Sequence, residues 1–328
     1  MLGELEDYNI LAKPKLPKVD CGDLSEAEFL TELCRKGWRE KFSHLTGATK
    51  DVYVARVKEE LGVINGFGLS GYFLIVQDIV NYVRNNGWLP GPGRGSVGGS
   101  LVAYLTGITE VDPIKYGLLF SRFLNSGRFS EGNVSLPDID MDVPSGCRDE
   151  VINMLKNKYG HDKVGQMITL GRLQGRSVIK EISRSYANLS FSELNEITDN
   201  LPPEASISDE LEEMDVKSVI LWTLENRPEK LDKWCVKHAD GTLAGELSEL
   251  FDFAIRMEGT YKSRGIHPAG VVISNEPLIN DAPLTTSRDG DPVVGFEMSD
   301  LDKVGLVKFD VLGVNLLDKI MEICADDD

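Results

Sequence analysis

Apolar residues recur at helical spacing along the first third of the chain. In "SEAEFLTELCRKGWREKF" (25–42), Phe29, Leu33 and Trp38 predict a helix, and a second is expected over roughly residues 50–64. "GFGLSG" (66–71) breaks the chain. "YFLIVQDIVNYVRNNG" then spaces Phe73, Val76, Val80 and Val83 three, four and three residues apart, ending at Asn85, Asn86 and Gly87. A Gly-rich loop follows, then a helix from about Ser96 to Leu105. Ser145 is placed to cap a helix running to Gly160, with Val151, Met154 and Leu155 on its buried side. Residues 163–262 are almost wholly helical in pattern, with acidic stretches such as "SELNEITDN". Strand signals return at "GVVIS" (270–274), "VVGFEM" (293–298) and "GLVKFDVLG" (305–313), before a last helix at "NLLDKIMEIC". The pattern predicts a mixed α/β body interrupted by a helical insertion.

The period changes to two in "SLPDIDMDV" (135–143). On a strand, Asp138, Asp140 and Asp142 project to one side, while Ile139, Met141 and Val143 project to the other. Three like charges on one edge repel and raise one another's pKa unless a cation sits among them. An edge strand with a wet polar face would give the same spelling. The second signal is in "GLVKFDVLG", where Lys308 and Asp310 share one face and Val307, Phe309 and Val311 the other. A lone carboxylate on so apolar a strand is costly unless paired or bound to metal. Set beside the first strand, Asp310 completes a three-carboxylate cage for two divalent cations, the arrangement that serves phosphoryl transfer. Lys308 is then available to neutralise phosphate charge.

Composition narrows the class. The chain has 328 residues, 41% of them hydrophobic and 27% charged, which fits a globular protein rather than a disordered one. A net charge of −18 argues against a broadly basic nucleic-acid surface but leaves room for one basic groove. Five scattered cysteines without a CxxC pair suggest neither a disulfide framework nor a zinc site, and a reducing cytoplasm is expected. No signal peptide is seen, and the longest apolar run is broken by Gln77 and Asp78, so no membrane partner is expected.

Two more features carry candidate chemistry. "GPGRGSVGGS" (91–100) brings five glycines, two serines and Arg94 before a helix, so backbone N–H groups and a helix N-terminus are expected to meet a triphosphate. Gly93, Gly95 and Gly98 match the dinucleotide pattern GxGxxG, but a helix precedes them where a strand is required. In "GRLQGRSVIKEISRS", Arg172, Arg176, Lys180 and Arg184 recur every four residues, a basic stripe suited to a nucleic-acid backbone or to pairing with acidic helices. Arg122 and Arg128 precede the aspartate strand and are candidates for the same phosphates. His267 is assigned no chemical role.

Taken in order, "GYFLIVQDIV", "GPGRGS", "LLFSRFLN", "PDIDMD", "HPAGVVIS" and "GLVKFDVLG" resemble the catalytic core of bacterial replicative DNA polymerase III α subunits, the C-family polymerases, from about residue 51 to 321. The resemblance implies an α+β fold: a polymerase-β-like nucleotidyltransferase palm with an inserted helical thumb. It divides the chain into a helical lead-in (1–50), a first palm part (51–169), the thumb (170–262) and a second palm part (263–328). It implies that Asp138, Asp140 and Asp310 are catalytic and bind two Mg2+ ions. Arg94, Gly95, Ser96, Arg122, Arg128 and Lys308 then contact the dNTP triphosphate, and the segment of Arg172, Arg176, Lys180 and Arg184 contacts primer-template DNA. The connection "SGRFSEGNVSLPD" is longer than the family's usual one. The family's fingers have no counterpart in this sequence, so either an excised fragment or one half of a split polymerase, its fingers carried by a second polypeptide, is expected. The alternatives are a non-catalytic DNA-binding or assembly module and, remotely, a dinucleotide-binding oxidoreductase.

Overall fold

The computed structural model describes residues 11–12, 14–125, 136–186 and 189–326. The chain divides into two compact units, one of Met1–Thr169 with Ile266–Asp328 and one of Leu170–Gly265.

In the first unit, helix α1 (Glu26–Lys41) starts at a capping box in which Ser25 and Glu28 satisfy each other's backbone N–H groups. Helix α2 (Gly47–Gly66) is longer than the spacing suggests, and α3 (Ser70–Asn85) buries Phe73, Val76, Val80 and Val83. The Gly-rich segment forms a 3-10 turn, Gly95–Gly99, followed by a short α4 (Leu101–Leu105). Strand β1 is Asp140–Val143, and α5 is Arg148–Tyr159. Ser145 does not cap α5. It opens a 3-10 turn, Ser145–Cys147, whose N–H groups at Ser145 and Gly146 are taken by the Asp318 carboxylate.

The segment after α5 departs from the helical expectation: β2 (Val164–Arg172) is a strand. Its buried residues Val164, Met167 and Ile168 follow neither period cleanly, because a strand covered on both faces loses its alternation. The second unit contains α6 (Gly175–Tyr186), α7 (Phe191–Asp199), α8 (Ser208–Glu212), α9 (Val219–Asn226), the hairpin β3 (Val236–Lys237) with β4 (Leu243–Ala244), and α10 (Ser248–Met257). Val178, Ile179, Ile197, Ile220, Leu231 and Phe251 form its core. Half-buried Glu258 caps two helices of this unit, accepting N–H bonds from Gly175 and Val219.

Strand β5 (Tyr261–Ile273) returns the chain to the first unit, followed by β6 (Leu284–Thr286), β7 (Pro292–Val294), α11 (Met298–Lys303), β8 (Val307–Gly313) and α12 (Asn315–Asp326). The "VVGFEM" strand stops at Val294, and Met298 already belongs to α11. The sheet is mixed and six-stranded, in the order β1-β8-β5-β2-β7-β6. One face, with Ile139, Met141, Val143, Val271, Val307, Phe309 and Val311, packs into the same apolar cluster as α1, α3 and α4. Met167 and Val272 join a separate, smaller cluster. No single helix among the described residues is long and apolar enough to cross a membrane.

Candidate functional site

Strands β1 and β8 lie side by side in parallel, and their register pairs Asp140 with Asp310 and Asp142 with Leu312. Asp138 lies two residues before the start of β1, in extended chain, so the three aspartates do not all belong to the strand. The burial still alternates as expected: Ile139, Met141 and Val143 are buried, which turns Asp138 and Asp140 to the other side. Ligand oxygens of Asp138, Asp140 and Asp310 all lie within 4.8 Å of one another.

Electrostatics at this cluster are strained in the direction a metal would relieve. The pKa of Asp138 is raised by burial among its neighbours, then by the charges of Asp140 and Asp310, with Lys308 and Arg94 pulling the other way. Asp310 is only 6% exposed. Its Oδ2 meets Lys308 Nζ at 2.7 Å, while its buried Oδ1 has no hydrogen-bond partner among the described residues. An orphaned buried carboxylate oxygen is costly. An all-oxygen set of three carboxylates suits a hard divalent cation, so the residues present fit magnesium chemistry.

Arg94 and Lys308 act as internal counter-ions. Arg94 bridges two carboxylates, with Nε 3.3 Å from Asp140 and Nη1 3.3 Å from Asp142. Asp142 thereby anchors the Gly-rich segment rather than joining the cluster of three, and its carbonyl also accepts the Gly91 N–H at 2.8 Å. Across β8, Gly270 of β5 is the register partner of Asp310. A Cβ at Gly270 would come within 3.0 Å of His267 Nδ1 and Met167 Sδ and 3.2 Å of the Lys308 stem, so only glycine leaves these three side chains their places. His267 accepts the Gly270 N–H at 2.8 Å through Nδ1 and so braces its own strand.

Beyond Arg94 lies a cavity of about 510 Å³ lined by Gly95, Ser96, Gly99, Gly117, Leu118, Leu119 and Arg122. It brings together three of the residues expected at a triphosphate. The expected help from the following helix N-terminus fails. Glu60, fully buried on α2, already accepts the N–H groups of Leu101 and Val102 at 2.9 Å each and the Ser100 hydroxyl at 2.9 Å. The positive end of α4 is therefore neutralised from within, and any anion must be met by the Gly95–Gly99 turn and Arg122. Arg128 lies outside the described residues.

The basic stripe is also revised. Arg172 ends strand β2, stacked 4.6 Å over the Tyr261 ring, and is not on the helix of the other three. Arg176, Lys180 and Arg184 do follow one another on α6, but Arg176 donates to the Leu201 carbonyl at 2.8 Å and Arg184 approaches Glu181 at 3.5 Å. Helical spacing read through a strand end produced the error.

Two residues escaped sequence reasoning. Tyr72 is buried beneath the aspartates, where its hydroxyl accepts the Ile139 N–H at 3.2 Å and its ring lies 5.3 Å from that of Phe309. Burial pushes its hydroxyl pKa up, so it stays a neutral prop. A tyrosine within an otherwise apolar helix face was the available signal, since a buried hydroxyl needs a partner. Glu60 gave none, because Ser100, Leu101 and Val102, the residues it caps, lie some way further along the chain.

Residues 28–313 match the model of the bacterial DNA polymerase III alpha NTPase domain. DNA polymerase III subunit alpha of Aquifex aeolicus is 38% identical over 314 residues, covering 93% of this chain and 26% of that protein. The subunits named alike from Thermus aquaticus and Escherichia coli K12 are 36% and 35% identical, over 89% and 92% of this chain and 22% and 25% of their own lengths. This chain thus spans about a quarter of the length of these relatives. With a match of this extent running through the aspartate cluster and the Gly-rich turn, the chain belongs to the bacterial DNA polymerase III alpha NTPase-domain family.

Proposed function

We propose that this chain is the palm-and-thumb portion of a C-family replicative DNA polymerase, transferring nucleotides from dNTPs to a primer 3′-hydroxyl. In this reading residues 51–169 and 263–328 form a polymerase-β-like palm and residues 170–262 the thumb. The observation that carries it is the meeting of Asp138, Asp140 and Asp310 around an unsatisfied buried oxygen.

Asp138, Asp140 and Asp310 would hold two magnesium ions, which supply an activated primer hydroxyl and charge neutralisation at the departing pyrophosphate. The chain's own groups do the rest. Ser96, the backbone of the Gly95–Gly99 turn and Arg122 bind and orient the triphosphate. Arg94 and Lys308, which pair with the carboxylates in this structure, would balance the charge of the phosphates. Tyr72 fixes the backbone between Asp138 and Asp140.

Magnesium-dependent incorporation of a labelled dNTP onto a primed template, with a fingers-bearing polypeptide supplied, tests the reading. Incorporation that survives loss of both Asp138 and Asp310 overturns it. The second reading, a non-catalytic DNA-binding module, draws on the fact that Arg94 and Lys308 already partner the carboxylates. It requires salt-sensitive DNA binding with no turnover under any supplementation.

The counter-ion role of Lys308 has a measurable consequence. Lys308→Met is expected to tighten Mn2+ binding to the three aspartates at least about tenfold, since a competing charge is removed from a poorly solvated site. The same change weakens dNTP binding. Calorimetric titration of Mn2+, then of dNTP, reads both, and weaker Mn2+ binding in the variant would contradict the role.

On α6, Arg176 is tied to the Leu201 carbonyl, so Lys180 and Arg184 are this helix's candidates for phosphate contact. Replacing both by alanine is expected to reduce the slope of log affinity against log salt by about 2. Fluorescence anisotropy with a primer-template duplex at several salt concentrations measures this, and an unchanged slope removes α6 from the DNA surface.

A further inference from the structure

Arg56 and Glu60 stand one turn apart on α2 and belong to none of the motifs described above. Arg56 donates Nε to Glu60 at 2.6 Å and Nη2 to two carbonyls, Gly99 at 2.8 Å and Leu118 at 3.2 Å. Those carbonyls belong to the two chain segments that line the 510 Å³ cavity. Gly95, Ser96 and Gly99 form one wall, and Gly117, Leu118, Leu119 and Arg122 the other. The walls touch where a Cβ on Gly99 would lie only 2.6 Å from the Leu119 carbonyl oxygen. Glu60 completes the arrangement by holding Ser100, Leu101 and Val102, the residues that follow the first wall. One ion pair therefore ties the Gly-rich turn, the facing loop and the start of α4.

We propose that Arg56 is a positioning residue for triphosphate binding: by bridging the Gly99 and Leu118 carbonyls it sets the separation between Ser96 and Arg122. This rests on the reading of the cavity as the triphosphate site. The physical reason is the shape of the guanidinium. Its planar fork reaches Glu60 and both carbonyls from one rigid group, whereas a lysine ammonium is a point charge on a flexible stem that cannot hold all three in fixed directions. Two carbonyls facing a gap without that donor repel, and the walls part. A polyanion that must touch both walls at once loses affinity when they shift by about an ångström. Arg56 itself touches no substrate in this scheme and acts only through the walls.

The test uses the whole chain, calcium in place of magnesium, and a fluorescent dATP analogue as the probe. Dissociation constants are measured for the wild type, R56K and R56M, alongside Mn2+ binding to the three aspartates and thermal unfolding. The lysine variant keeps the charge beside Glu60 and so protects the fold. Both variants are expected to weaken dATP-analogue binding at least about tenfold while leaving Mn2+ binding unchanged. R56K binding the analogue like wild type would show that charge alone suffices and would overturn the proposal. So would a parallel loss of Mn2+ binding, which marks general disruption. A wild-type chain that binds no analogue overturns the reading of the cavity, and this proposal with it, so the two failures are told apart.

Discussion

Asp310→Asn is expected to reduce magnesium-dependent primer extension by three orders of magnitude or more and to abolish Mn2+ binding at the aspartate cluster. Asparagine keeps the shape and the strand register but cannot carry the charge that holds a cation. Losing several kcal/mol of metal-supplied transition-state stabilisation corresponds to a rate drop on the order of 10³. The change also strips Lys308 of its partner at 2.7 Å, so the ammonium is left in a poorly solvated place and some stability is lost. Thermal unfolding separates that loss from the catalytic one. A further sign should accompany it: with one neighbouring anion gone, the pKa of Asp138 should move down from its raised value, because the Asp310 charge helps to hold it up. Full-rate extension by the variant, with the fingers-bearing polypeptide present, would remove the mechanism.

The largest effect on stability is expected from Phe309→Ala. Phe309 is 1% exposed, sits between Lys308 and Asp310 in sequence and faces the opposite side of β8. Its ring lies against Tyr72 within the main apolar cluster. Removing it leaves a cavity that the neighbouring strands cannot close, at a cost of about 3–5 kcal/mol. Tyr72 then loses the surface that steadies it, and with it the hydrogen bond to Ile139 that sets the chain between Asp138 and Asp140. Urea unfolding followed by tryptophan fluorescence should show a lower midpoint, and Mn2+ affinity should fall alongside it. A variant with wild-type stability would mean that this face of the sheet is not packed as described.

Much of the site was legible because it rests on local period and on charge. Alternation around Asp138 and Asp140 told which side each residue takes, and the apolar setting of Asp310 marked it as anomalous. What stayed hidden depends on partners far apart in the chain. Nothing near Glu60 says that its carboxylate occupies the start of α4, so the expectation of a free helix end there was reasonable and wrong. Strand β2 was missed because "VGQMITLGR" is covered on both sides along its first half and runs into cationic residues whose spacing imitates a helix. Arg172 was misplaced for the same reason.

The parallel pairing of Asp140 with Asp310 also has a consequence for synthesis. At ribosomal speeds of about 5–20 residues per second, the two halves of the cation site leave the tunnel on the order of ten seconds apart or more. Throughout that interval β1 has no neighbour on the side that β8 will occupy, and Asp138 and Asp140 lack the third carboxylate of their cluster. Divalent binding by a nascent chain would therefore report that β8 has emerged and docked.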